Sequence, residues 1–169
     1  MVQMPEVLRT MEDWIEARGR CRYVVATGMH GVMEARRDPD FKKIAASADL
    51  FVPDGFSLVW VARRHGFPLK KRVSGPDLMR EFLNLAQQKG YASFFYGDTE
   101  ETLRQLTQKL GDTFPSLKIA GAHSPPFRQL SPEEDAEEVR KINQSGADVV
   151  WVGLGLPKQE RWMFQHRDK

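Results

Sequence analysis

Five short apolar runs constrain the fold of this chain more than any other feature. They lie at residues 22–26, 50–52, 91–96, 117–122 and 147–152, lengths that suit buried strands. Between them the spacing turns helical. Val7, Leu8, Met11, Trp14 and Ile15 precede the first run; Leu78, Met79, Phe82 and Leu83 precede the third; Leu103, Leu106 and Leu110 precede the fourth. Ser131-Pro132-Glu133-Glu134 is a helix start, with serine as cap, proline at the first helical position and glutamate at the third. Strands alternating with helices predict an α/β fold, a mostly parallel sheet with helices on both faces. No repeat, low-complexity stretch or linker breaks the pattern, so residues 1–169 read as a single domain.

In a Rossmann-like sheet of this kind, right-handed crossovers carry every strand-to-helix loop to one edge, and ligands bind there. That edge collects Thr27-Gly28-Met29-His30, Asp54-Gly55, Gly97-Asp98-Thr99, His123 and the stretch Gly153 to Glu160. Pro53 has no N–H for a ladder, so the second strand stops there, and Gly55 tolerates the sharp turn that follows. The Asp54 carboxylate is then held just beyond a strand end. It either caps the next helix or faces a ligand. Gly153-Leu154-Gly155-Leu156-Pro157-Lys158 pairs two glycines with a helix start whose free N–H groups, beside Lys158 and Gln159, suit a phosphate; a plain tight turn fits as well. Asp98 and Glu101 have the spacing of a capping-box relative. His123 is open to the roles of base, anion contact or plain loop residue, as is His30. Asp54 and Asp98 lack the surroundings of a calcium or zinc site, so no metal is expected.

Net charge is only +2, which points to no nucleic-acid partner. Arg63-Arg64-His65 and Lys70-Lys71-Arg72 nevertheless concentrate basic residues. They read either as a solvated helix end and loop or as a contact for phosphate or an anionic membrane. Cys21 is the only cysteine, so no intrachain disulfide forms. With Glu6, Arg9, Glu12 and Asp13 in place, no signal peptide is expected at the start of this sequence, and no apolar run approaches the roughly 20 residues of a membrane helix. A cytoplasmic location is expected, with peripheral contact at the inner face of the membrane and homo-oligomerisation left open.

Three motifs occur in order: Val52-Pro53-Asp54-Gly55, Arg72-Val73-Ser74-Gly75-Pro76-Asp77-Leu78-Met79, and Gly153-Leu154-Gly155-Leu156-Pro157-Lys158-Gln159-Glu160. With the segments 35–39, 94–97 and 142–148 they resemble the WecG/TagA/CpsF glycosyltransferases over about residues 22–169. Three separated motifs in order are far more specific than any one. The resemblance implies inverting transfer of an N-acetylmannosamine-type sugar or related hexose from a UDP donor. The acceptor would be lipid-linked, in cell-envelope or exopolysaccharide synthesis, with no cofactor and no dedicated metal. It makes Asp54 the active-site base and places Gly155, Lys158, Gln159 and Glu160 on the donor. Thr27, Gly28, Gly55, Arg72, Gly75, Gly97 and Asp98 complete the candidate donor-binding set. The chain departs from the family after its first strand: the usual threonine falls on Ala26 and the usual asparagine on Gly28, with Thr27 one place along. Relatives also run on past the position of Lys169, so a C-terminally truncated form, its last helix unfinished, is expected. A non-catalytic UDP-sugar-binding module is the alternative. A nicotinamide-dependent oxidoreductase fits less well, because the glycine pair comes late and lacks its third glycine.

Overall fold

A computed structural model describes residues 3–169. It is α/β, with eight helices and five strands among the described residues, and every strand pairing is parallel. The chain divides into two compact units. One holds the residues up to Glu81 together with Leu156–Asp168, and the other holds Phe82–Gly155 with Lys169.

The first unit contains α1 (Met4–Ala17), β1 (Val24–Thr27), α2 (Met29–Arg37), α3 (Pro39–Ala46), β2 (Leu50–Pro53), α4 (Phe56–Arg64), the start of α5 (Gly75–Lys89) and α8 (Lys158–His166). β1 and β2 pair in register from Val24–Leu50 to Thr27–Pro53. Val7, Val25, Phe41, Val52 and Val73 are buried in this unit. Between α2 and α3, Asp38 accepts the N–H groups of Asp40 and Phe41 at 2.9 and 3.1 Å and so caps α3. Helix α2 begins at Met29, so Met29, His30 and Gly31 are helical and not part of a loop. Gly28, in an extended conformation, completes the turn from β1 within one residue.

The second unit holds the rest of α5, β3 (Ala92–Gly97), α6 (Glu100–Thr113), β4 (Lys118–His123), α7 (Pro132–Gln144) and β5 (Val149–Gly153), with strand order β4-β3-β5. As the central strand, β3 is buried from Ser93 to Gly97, which is why its sequence is almost continuously apolar. The Ser131 capping box forms as expected, with Glu134 reaching back to the Ser131 N–H at 2.8 Å.

One small device recurs in both sheets. An Ala-Asp pair precedes β2 and again β5; Asp49 accepts the N–H of Tyr23 at 3.2 Å and Asp148 accepts that of Ala92 at 2.9 Å. Each aspartate thereby fixes the entry of the neighbouring strand. The α/β class and the parallel pairing are as expected, with the strands hydrogen-bonded in two sheets: β1 and β2 make a short four-residue ladder, and β3 pairs with β4 and β5. One expectation needs correction. Helix α8 ends at His166 and does not run to Lys169; the Arg167 N–H closes on the Met163 carbonyl, and the His166 ring occupies the Trp162 carbonyl at 2.7 Å.

Candidate active site

In the first unit the carboxyl ends of β1 and β2 are joined beyond the last strand pair. The Asp54 N–H donates to the Thr27 carbonyl at 2.9 Å. Asp54 is half-buried. Helix α4 is capped by Gly55 without any side-chain hydrogen bond, so Asp54 is not its cap. The Asp54 carboxylate has no hydrogen-bond partner among the described residues. Gly28 and Gly55 lie against each other beside it; a Cβ on Gly55 would stand 3.5 Å from the Gly28 Cα.

The middle motif reaches the same place through the backbone. The Val73 N–H donates to the Pro53 carbonyl at 2.8 Å, and Val73 and Ser74 are buried. Ser74 then opens α5, its hydroxyl donating to Asp77 at 2.6 Å. Gly75 lies beside Ala26 in β1, with room for no more than ordinary contact at 3.9 Å. Thr27, Gly28, Asp54, Gly55 and Gly75 are thus gathered at one strand edge. Arg72 is exposed, and its guanidinium lies 4.7 Å above the Phe56 ring.

Thr27 is 4 % exposed, and its Oγ1 has no hydrogen-bond partner. Gly31 leaves it room: a Cβ there would stand 2.0 Å from that oxygen and 3.1 Å from Leu156 Cδ1. Leu156 of the last motif therefore packs beside Thr27. After it, Lys158 is exposed at the start of α8, Gln159 is half-buried, and Glu160 is buried. Glu160 Oε1 accepts from Gln159 at 3.2 Å and Oε2 lacks a partner; burial pushes its carboxyl above the ordinary range. Arg161 pairs with the α3 cap Asp38, which ties α8 to the α2–α3 corner.

In the second unit the Gly97 backbone has φ +125° and approaches Gly153 so closely that a Cβ would stand 2.3 Å from the Gly153 carbonyl oxygen. Only glycine fits. Asp98, left-handed at φ 54°, donates its N–H to that carbonyl at 3.1 Å. Its side chain accepts from the Thr99 N–H at 2.7 Å, and Thr99 caps α6. The Asp98–Glu101 capping pair is therefore replaced; Glu101 instead holds Arg104 and Gln105. Gly155 is exposed with φ +76°.

His123 is the last residue of β4 and not a loop residue. Its Nε2 lies 3.1 Å from Oε1 of Glu138, whose other oxygen accepts the Tyr96 hydroxyl. Glu138 is not among the candidates that the sequence offers. Its signal was positional: residues 135, 138, 139 and 142 form the inward stripe of α7, and a glutamate there requires partners. His123 also lines a shallow cavity of about 250 Å³ with Arg104, Thr107 and Ser124. Among the described residues no three His, Cys, Asp or Glu side chains gather as metal ligands, and no helix is long and apolar enough to cross a membrane.

The model of the WecG/TagA/CpsF glycosyltransferase family matches residues 1–169. The chain belongs to that family. Among relatives named N-acetylglucosaminyldiphosphoundecaprenol N-acetyl-beta-D-mannosaminyltransferase, one from Bacillus spizizenii is 31 % identical over 145 residues, covering 86 % of this chain and 54 % of the relative. One from Bacillus subtilis is 29 % identical over 133 residues, covering 79 % and 50 %. One from Staphylococcus aureus is 27 % identical over 169 residues, covering 100 % and 64 %. The chain thus spans from half to just under two thirds of the length of these relatives.

Proposed function

We propose that this chain carries the catalytic base and part of the donor site of an inverting glycosyltransferase. That enzyme would move an N-acetylmannosamine-type sugar or related hexose from a UDP donor to a lipid-linked acceptor in cell-envelope polysaccharide synthesis, at the cytoplasmic face of the membrane. One observation carries the reading. Asp54 stands past a strand end, fixed by its own backbone N–H to Thr27, with its carboxylate neither capping a helix nor paired.

In the proposed step the acceptor hydroxyl oxygen attacks the anomeric carbon as the bond from that carbon to the diphosphate oxygen breaks. The electron pair leaves with UDP and the hydroxyl proton passes to Asp54. Such a base contributes about 10²–10⁴-fold. Lys158 and the positive end of the α8 dipole supply positive potential for the departing diphosphate, and Arg72 is a further candidate. Thr27, Gly28, Gly55 and Gly75 would shape the floor of the donor site, with Gln159 beside Lys158. The buried Glu160 supports that turn from within. Gly97, Asp98 and Gly155 stand as donor candidates on the motifs alone.

Asp54→Asn tests the reading in a transfer assay with a UDP-sugar and a lipid-linked acceptor. Turnover falls at least about 100-fold, while UDP affinity and melting temperature hold. Near-normal turnover removes the base role. In a parallel titration UDP binds more tightly than uridine; equal binding removes the diphosphate contact.

A further inference from the structure

The stretch from Gly55 to Pro76 contains no acidic residue and five Lys or Arg, in a chain whose net charge is +2, so the remainder sums to −3. The same stretch holds three large exposed rings: Phe56, Trp60 and Phe67, at 73, 63 and 58 % exposure. Phe56 and Trp60 lie one turn apart on α4, with Arg64 one turn further on, so all three share a stripe of the helix.

The loop that follows is held against the helix from inside the cluster. Arg63 Nε donates to the Leu69 carbonyl at 2.6 Å, and its Nη2 donates to the Lys70 carbonyl. Phe67 donates its N–H to the Ala62 carbonyl at 2.9 Å. Arg63 is thereby committed to the backbone, while Lys70 and Lys71, in the loop it holds, stay exposed. The Arg64 guanidinium lies 5.6 Å from the centre of the Trp60 ring.

From this arrangement we infer that α4 and the 66–72 loop form a peripheral docking surface for an anionic lipid bilayer. Phe56, Trp60 and Phe67 would enter the headgroup boundary, with Arg64, Lys70 and Lys71 against lipid phosphates. Aromatic side chains with basic neighbours and no acid match an interfacial surface. Self-association through the patch would set like charges together, and base stacking would find a face of the Phe56 and Trp60 rings already covered by arginine. The inference extends the reading above, whose acceptor is lipid-linked, but its test needs neither donor nor acceptor.

The chain is floated with vesicles of phosphatidylcholine alone and with vesicles containing phosphatidylglycerol. It rises with the anionic vesicles, much less with the neutral ones, and less again in high salt. Each basic residue at such a surface is worth about five-fold in partitioning, so Lys70→Glu/Lys71→Glu lowers it roughly 30-fold or more. Phe56→Ser/Trp60→Ser lowers it at least about tenfold. All four side chains are exposed, so melting temperatures of both variants stay near that of the parent. No flotation, equal flotation on both vesicles, or unchanged flotation of either folded variant overturns the proposal. So does dimerisation, or RNA binding, that is lost in the variants while flotation is absent.

Discussion

Gly31→Ala is a test of how tightly the turn after β1 is built. In an exposed helix the change would stabilise by up to about 1 kcal/mol. Here the added Cβ would stand 2.0 Å from Thr27 Oγ1 and 3.1 Å from Leu156 Cδ1. Ordinary contact begins at roughly 3.5 Å, so the oxygen must retreat by about 1.5 Å. Thr27 is buried, and such overpacking costs about 1–3 kcal/mol. The two effects leave a net loss of up to about 2 kcal/mol. Thr27→Ala removes the offending oxygen, and because that oxygen has no hydrogen-bond partner, nothing is left unsatisfied. The pair should therefore couple: Gly31→Ala destabilises the parent more than it does the Thr27→Ala background, where only the 3.1 Å approaches to the residue 27 Cβ and to Leu156 Cδ1 remain. Urea unfolding of the four proteins of this cycle gives the coupling, expected at about 1–3 kcal/mol. A stabilised Gly31→Ala, or additive single changes, would refute the contact.

Two further outcomes follow from the buried acids. Glu138→Ala strips the Tyr96 hydroxyl and His123 of a shared partner and should cost about 3 kcal/mol in urea unfolding, whereas Glu138→Gln keeps an acceptor and loses less; equal losses would show that the hydrogen bonds do not matter. Glu160 is held above its ordinary value by burial, so the folded state binds the extra proton. Its contribution is therefore full below the ordinary carboxyl range and declines as pH rises above 4.5 toward the raised folded value. Glu160→Gln should flatten that part of the stability profile, and an unchanged slope would place the titration elsewhere.

The alternation of strands and helices was legible in the residues because each short apolar run is followed by a change of period. The Ser131 cap was legible to the residue, since its chemistry is local. The division into two sheets was not, because strand pairing depends on partners distant in sequence. His123 was ambiguous for the same reason: nothing near it announces Glu138, fifteen residues on in another element. Thr99 displaced Asp98 as cap because Asp98 adopts a left-handed backbone that periodicity does not reveal. At the candidate site the family motifs located Asp54, while the structure supplied what they lacked, namely that Gly55 caps α4 and frees the acid.

That freedom has a practical consequence. Position 54 is fixed by its peptide group, through the Asp54 N–H and the Thr27 carbonyl, and its side chain bears no structural duty that a hydrogen bond records. The acid is then an exchangeable part. Asp54→Gly should keep the turn while opening a carboxylate-sized vacancy, and millimolar formate supplied from solution should restore part of the lost turnover. A chain that stays folded yet gains nothing from formate, azide or acetate would mean that the proton leaves by another route.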